Sequence, residues 1–274
     1  MRVFYDNNAE ITEVTNLVKR IDQTNLVFSY EAGQFIYLLS DLPFNHIYLS
    51  LGSVVNTVSA TIKIEYYSSN GWVEVVNIND LTNNIAKSGH IEFTPNRDSS
   101  WKMSSTNSSG DKIDGLESIS VYDVYAVRIS FNQTLTEDVQ INYIGHCFSD
   151  DIDLYSEFPI FNDSDFLNAF KSGKADWEEQ SIKAADIIIK DLKSKNVICG
   201  DGQILDRYLF TNASIQKTAE IIFSSFGSDY VNQKIDARKE YSARMDMKIF
   251  KEDKNNNAIP DATEKVQASG WLSR

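Results

Sequence analysis

Hydrophobic and polar positions follow two different rhythms along this chain. Up to about residue 148, apolar residues come in short aromatic and β-branched runs separated by turn residues, a pattern that predicts strands. Residues 26–30, 35–39 and 46–51 are three such runs, bounded by Glu31-Ala-Gly33 and Ser40-Asp-Leu-Pro43. Between 58 and 67 the chain alternates, with Ile62, Ile64 and Tyr66 on one face and Thr61, Lys63 and Glu65 on the other, which is a half-buried strand. Ser68-Ser-Asn-Gly71 predicts a hairpin into a strand over 72–78. Residues 90–94 form a further strand stopped by Pro95, residues 103–115 a polar loop, and 121–131 and 139–148 the last two strands. Nine or ten strands with no helix between them pair antiparallel, since parallel pairing needs long crossovers. The expected arrangement is a jelly-roll-like β-sandwich over residues 1–148.

Beyond the β-rich part the rhythm changes. Residues 149–162 hold Asp150, Asp151, Asp153 and Glu157 together with Pro159, and read as an acidic linker. Asp163 or Ser164 caps a short helix over 165–171 that ends at Gly173. The next helix runs from about 175 to 195. Asp176, Glu178 and Glu179 lie in its first turn and Lys190, Lys193 and Lys195 in its last, matching the helix dipole. Ala185, Ile188, Ile189 and Leu192 give it one apolar face. After a Gly200-Asp-Gly202 turn and a short apolar piece over 204–210, Asn212 caps a third helix striped by Ile215, Ala219, Ile222, Phe223 and Phe226 and stopped by Gly227. Asp229 opens a fourth, to about Phe250, with Tyr230, Ala237, Tyr241 and Met245 along one side. These spacings specify a small antiparallel bundle over 163–250. The fold class is therefore α+β in two domains, with a loop at 251–264 and a C-terminal arm over 265–274.

Charge narrows the function. The net charge is −13; split at Phe148, the first part has 9 basic against 17 acidic residues and the second 17 against 22. Both parts are acidic, which argues against a dedicated nucleic-acid binder, because phosphate contacts need clustered Lys and Arg. Cys147 and Cys199 stand far apart without CxxC spacing, so two reduced, buried thiols are expected in place of a disulfide or zinc site. With no apolar segment after Met1 and no run of ~18 apolar residues, the protein is expected to be made in the cytoplasm, without a signal peptide or membrane span.

One local motif has defined chemistry. In Asp253-Lys-Asn-Asn-Asn-Ala-Ile-Pro-Asp-Ala-Thr-Glu264, positions 1, 3, 5, 7, 9 and 12 are Asp253, Asn255, Asn257, Ile259, Asp261 and Glu264. An EF-hand-like loop takes its Ca²⁺ oxygens from those positions, the seventh through its carbonyl. Ala258 stands at the sixth position, where glycine usually supplies a positive φ. The expected cation is Ca²⁺ in a structural role, clasping the last helix to the C-terminal arm; a solvated Asn-rich turn is the alternative. His46, His90 and His146 all fall in or beside predicted strands. No GxSxG, HExxH, Walker A or GxGxxG motif is present, so no catalysis is expected.

Two stretches carry a resemblance. Asn70-Gly-Trp-Val-Glu-Val, Ser88-Gly-His-Ile-Glu-Phe-Thr-Pro95, Trp101 and Tyr125-Ala-Val-Arg-Ile-Ser130 resemble the β-sandwich modules of phage tail and neck proteins and of some carbohydrate-binding domains. Trp177-Glu-Glu-Gln, Ala184-Ala-Asp-Ile-Ile-Ile-Lys-Asp-Leu192, Ala219-Glu-Ile-Ile-Phe and Phe226-Gly-Ser-Asp-Tyr230 are similar to tailed-phage head–tail connector (adaptor or neck) proteins. That resemblance implies a structural virion protein, a homo-oligomeric ring joining portal to tail, with portal and neck or tail proteins as partners. It implies nucleic acid only as DNA passing through the lumen, and no membrane. The alternative is a carbohydrate-binding, host-recognition, baseplate or collar module, with Trp72, Trp101 and the 103–115 loop as binding face. Against that face stands the reading of Trp72 as a core residue.

Overall fold

The computed structural model describes residues 1–19, 26–95, 101–106, 112–135, 138–246, 249–251, 257–259 and 266–268. The chain is α+β and divides into two compact units, a β-rich one and a helical one. The β-rich unit takes Met1–Gly145, Gly200–Leu205 and, near the C-terminus, residues 257–259. The helical unit takes His146–Cys199 and residues 206–246, with the strand pair that follows.

Among the described residues the β-rich unit has twelve strands: β1 (Arg2–Asp6), β2 (Ile11–Glu13), β3 (Leu26–Phe28), β4 (Phe35–Ser40), β5 (His46–Leu51), β6 (Ile62–Ser68), β7 (Gly71–Glu74), β8 (Asn77–Asp80), β9 (Gly89–Thr94), β10 (Ser104–Thr106), β11 (Val121–Phe131) and β12 (Val139–Gly145). They form two sheets, one ordered β2-β1-β4-β11-β6-β7 with β10 paired to β11, the other β3-β12-β5-β9-β8. Every pairing is antiparallel, as the absence of crossover helices requires. Four connections are hairpins within a sheet, and the other seven pass from one sheet to the other.

The alternation of β6 decides its facing. Ile62, Ile64 and Tyr66 enter a buried cluster that also takes Ile36, Leu38, Val127 and Ile129 from the first sheet and Phe28, Ile47, Leu49, Ile91, Phe93 and Ile141 from the second. Each such side chain contributes about 1.5–3 kcal/mol on burial. The runs of β4 and β11 do not alternate, because the other face of the first sheet is covered too. Tyr37, Leu39, Tyr67 and Ala126 pack there with Ile113, Leu116 and Val121. The Asn-Gly hairpin forms between β6 and β7, with Ser68 opposite Gly71, whose φ of +88° suits glycine alone.

Three departures have local causes. The expected strand over 72–78 is two strands: β7 ends in the first sheet, Val75 is buried, and β8 begins in the second. β10 lies inside the stretch expected as a polar loop, where Ser104 and Thr106 pair with Val124 and Val121. Residues 200–205, read with the helices, belong to the β-rich unit. A Cβ on Gly202 would clash with the Pro43 carbonyl oxygen, and Asn45 Nδ2 donates to Leu205 O at 2.9 Å.

In the helical unit the elements are α1 (Asp151–Glu157), α2 (Ser164–Phe170), α3 (Glu178–Ser194), α4 (Thr211–Ser225) and α5 (Val231–Asp246), followed by β13 (Ile249–Lys251) paired antiparallel with β14 (Val266–Ala268). The acidic stretch expected as a linker is thus helical. Asp150 accepts the Asp153 N–H at 2.9 Å while Asp153 accepts the Asp150 N–H at 3.1 Å, so two of its carboxylates form a capping box. Asp163 caps α2 as expected, accepting from Asp165 and Phe166. Asn212 does not cap α4. A 3₁₀ turn over Arg207–Phe210 leads straight into that helix, and Asp206 caps the turn instead. The last helix ends at Asp246, so Phe250 lies in a strand. Among the described residues no helix is long and apolar enough to cross a membrane.

Candidate assembly face and cation loop

The helical unit is organised on an aromatic cluster. Phe161, Phe166, Phe223 and Trp177 pack with the partly buried Phe158, Phe170, Phe226 and Tyr230. Trp177 stands just before α3 and is fully buried; its indole N–H donates to Phe161 O at 2.8 Å. Its backbone N–H donates to Asp151 at 3.1 Å, and the Tyr155 hydroxyl reaches the same carboxylate at 3.3 Å. Burial pushes the Asp151 pKa up to about 6; the Trp177 N–H opposes the rise and the Asp176 and Glu178 carboxylates add to it. Lys174 lies over the Phe170 and Trp177 rings at 5.4 and 5.0 Å, and burial lowers its pKa despite the nearby Asp176.

α5 is held differently. Its buried residues are Ala237, Tyr241 and Met245, a single stripe at i, i+4 and i+8. Tyr241 donates its hydroxyl to Asp191 of α3, while Lys217 of α4 sits 4.6 Å over its ring. Arg238 Nε and Lys217 Nζ both reach the buried Glu220, at 2.7 and 2.8 Å. Desolvation would raise the Glu220 pKa, but those two cations outweigh it and hold the carboxyl below its usual range. Val231 and Ile235 are off the buried stripe and each 43% exposed. With Arg238 and Ser242 they fall at i, i+4, i+7 and i+11, one flank of the helix, with Lys234 and Lys239 on its two edges.

Of the six expected calcium ligands, Asn257 and Ile259 are placed; Asp253, Asn255, Asp261 and Glu264 lie outside the described residues. Ala258 takes φ +57°, the left-handed backbone that the sixth loop position requires. Asn257 Oδ1 accepts the Ile259 N–H at 2.7 Å. The flanks differ from an EF-hand, being the strands β13 and β14 in place of two helices. Residues 257–259 belong to the β-rich unit, where Ala258 is buried in the main cluster, and not to the bundle that the loop was expected to clasp. Among the described residues no three His, Cys, Asp or Glu side chains converge as a metal site.

The two tryptophans of the β-rich unit are engaged structurally. Trp101 is buried among Phe44, Tyr66 and Tyr125. Trp72 donates its indole N–H to Asp114 O at 2.8 Å and carries the Arg128 guanidinium 4.6 Å over its ring. Arg128 also lies over Phe35 at 4.4 Å and bonds Glu65 at 2.7 Å, so it is fixed from three sides. The three histidines are buried. Cys147 is buried, donates to Ser149 O at 3.1 Å and has its pKa pushed up to about 12 by burial; Cys199 is exposed, against expectation.

Sequence reasoning missed the α5 flank and the Asp151 carboxyl. The flank had a signal, since Val231 and Ile235 lie off the Ala237–Tyr241–Met245 stripe. Asp151 had none, because the N–H that its carboxylate accepts belongs to Trp177, 26 residues away. Comparison of the chain with protein-family models, with curated proteins and with solved structures gives no match.

Proposed function

We propose that this chain is a structural protein of a tailed-phage virion neck, working as a homo-oligomeric ring between portal and tail. The helical unit is its assembly element, and the two sheets form a jelly-roll-like sandwich. The observation that carries the reading is the thin seating of α5: three of its sixteen residues are buried, while a flank with two exposed β-branched residues lies beside the seam. A helix with so little of its surface used within the chain suits a subunit built for contact with others. The resemblance of the α3–α5 segments to connector proteins points the same way. The glycan-binding alternative draws no support from Trp101, which is buried, or from Trp72, whose ring Arg128 covers.

Residues 253–264 bind Ca²⁺ as a structural staple in this reading, with Asp253, Asn255, Asn257, the Ile259 carbonyl, Asp261 and Glu264 as ligands. The left-handed Ala258 is in keeping with it, because that backbone costs an alanine roughly 1 kcal/mol, which the rest of the loop must offset. Negative-stain microscopy and mass photometry of the purified chain, alone and with a portal, test the assembly reading: closed rings are expected, and a chain that never assembles in either setting removes it. Titration calorimetry with Ca²⁺ tests the loop. Heat is expected from the wild type and not from Asp253→Ala, and equal heats from both dismiss the site.

A further inference from the structure

Besides α5, the helical unit has a second exposed apolar patch, and its surroundings have the opposite charge. Ile152 on α1 is 78% exposed, and Ile160 in the 3₁₀ turn after it 41%. Leu154 is buried, so Ile152 lies on the opposite side of α1 from the core. Segment 150–165 carries Asp150, Asp151, Asp153, Glu157, Asp163 and Asp165, and no Lys or Arg occurs from 146 to 170. The α5 flank is the reverse case. Lys234, Arg238 and Lys239 edge its two apolar residues, while Asp236 and Glu240 lie round the helix on the other side.

Within the chain these patches do not cover each other, since Ile152, Ile160, Val231 and Ile235 all stay exposed. α1 is tied to the first half of α4, through Ser149 Oγ with Ser214 Oγ at 2.8 Å and Gln216 Nε2 to Glu157 at 3.4 Å. α5 begins beside the other end of α4, where Tyr230 stacks on Phe223 at 5.4 Å.

We propose that the Val231–Ile235 flank of α5 in one copy docks on the acidic segment 150–165 of a second copy, seating Ile152 and Ile160. The inference rests on the assembly reading and gives its interface. Charge selects this pairing. A chain of net charge −13 repels its copies at close range, within the ~8 Å Debye length of physiological salt, unless the contact itself brings opposite signs together. Flank against flank would set cations against cations, and segment against segment would set carboxylates against carboxylates. Only the head-to-tail pairing is complementary. A head-to-tail contact is heterologous, and repetition closes it into a ring or extends it into a filament.

Sedimentation velocity and negative-stain microscopy of the full chain test this, with two variants confined to exposed positions and checked by circular dichroism. Ile235→Glu spoils the flank and leaves the acidic segment intact. The pair Ile152→Asn and Ile160→Asn, made together, spoils the segment and leaves the flank intact. Wild type is expected to assemble beyond dimers and to weaken by about tenfold when salt screens the contact. Each variant alone is expected to be monomeric, and their equimolar mixture to stop at a dimer joined through the one intact flank and the one intact segment. Assemblies unchanged in both variants overturn this interface and leave the proposed function standing. Dimers formed by either variant alone show an isologous contact and overturn it as well. A mixed dimer from a chain whose wild type grows only into open filaments supports the interface and overturns the ring. A wild type that stays monomeric at every concentration overturns the interface.

Discussion

α3 and α5 are nearly the same length and belong to the same unit, yet one is sunk and the other is laid on the surface. α3 buries eight of its seventeen residues, including Ala184, Ala185, Ile188 and Leu192; α5 buries three of sixteen. Isolated helices of this size are marginal in water, so each needs tertiary contacts to persist. α3 has them in a broad apolar face and a fully buried tryptophan at its start. α5 relies on one narrow seam, on Arg238 with Glu220, and on Tyr241 with Asp191. Its Val231 and Ile235 lie off that seam and are partly exposed. β-branched residues are also mediocre helix formers, so the chain carries them there at some expense to stability. A helix so placed has surface to spare, and the proposed interface uses it.

The largest effect should come from the anchor of α3. Trp177→Ala empties a fully buried site and leaves the Phe161 carbonyl without its indole donor, for a loss of about 4 kcal/mol. Urea unfolding followed by far-ultraviolet dichroism reads it. A loss under about 1 kcal/mol would mean that the start of α3 is held by something else.

Next comes the carboxylate that holds the Trp177 N–H. The folded pKa of Asp151, about 6, lies above the ~3.9 of an unfolded aspartate, so the native state binds the proton more tightly. Stability from that proton is full below about pH 4 and is lost as pH rises through 6. The ceiling is ~3 kcal/mol, reduced by the solvent that reaches this partly buried group. Asp151→Asn keeps an oxygen for Trp177 and cannot titrate, so the variant should gain on wild type by about 1–2 kcal/mol between pH 4 and 7. Melting curves at each pH make the comparison; parallel profiles would remove Asp151 as the cause.

Tyr241→Phe tests the tie of α5 to α3. It deletes the hydroxyl that donates to Asp191 and keeps the ring under Lys217, for a loss of about 1.5 kcal/mol. Burial and that bond raise the Tyr241 pKa, so an alkaline absorbance titration of wild type should show one tyrosine ionising late, and the variant should lack it. If both titrate alike, the bond is not formed in solution.

How far the sequence announced this arrangement depended on whether the cause was local. β4, β5, β9 and β11 lie where their apolar runs put them, and α3 and α4 where the stripes of Ile188–Leu192 and Ile215–Phe223 do. Asp163, Gly173 and Gly227 mark their helix ends, the glycines at φ +74° and +65°. What could not be read was set from a distance. Asp150 and Asp153 looked like solvated charge until their mutual capping made a helix of that stretch. Segment 200–205 left the helices because Gly202 fits against Pro43, a neighbour more than 150 positions earlier. Of the calcium-like loop only residues 257–259 are placed, and there Ala258 takes a left-handed backbone. The α5 flank was visible in the sequence only as two residues off the stripe.

The smallest effect is the one on which that flank depends. Ile188→Ala, inside α3, should destabilise by about 3 kcal/mol, whereas Ile235→Ala on α5 should change stability by no more than about 0.5 kcal/mol. Alanine is the better helix former, which offsets whatever partial burial Ile235 has. Dilute conditions are essential, because an assembled chain would gain stability from its partner and the loss of Ile235 would then be felt. The same variant measured at rising protein concentration should therefore fall progressively behind wild type in Tm. A difference that stays flat would mean that nothing docks there. A loss above about 1.5 kcal/mol in the dilute chain would mean that Ile235 is already covered from within, and the contrast between the two helices would vanish.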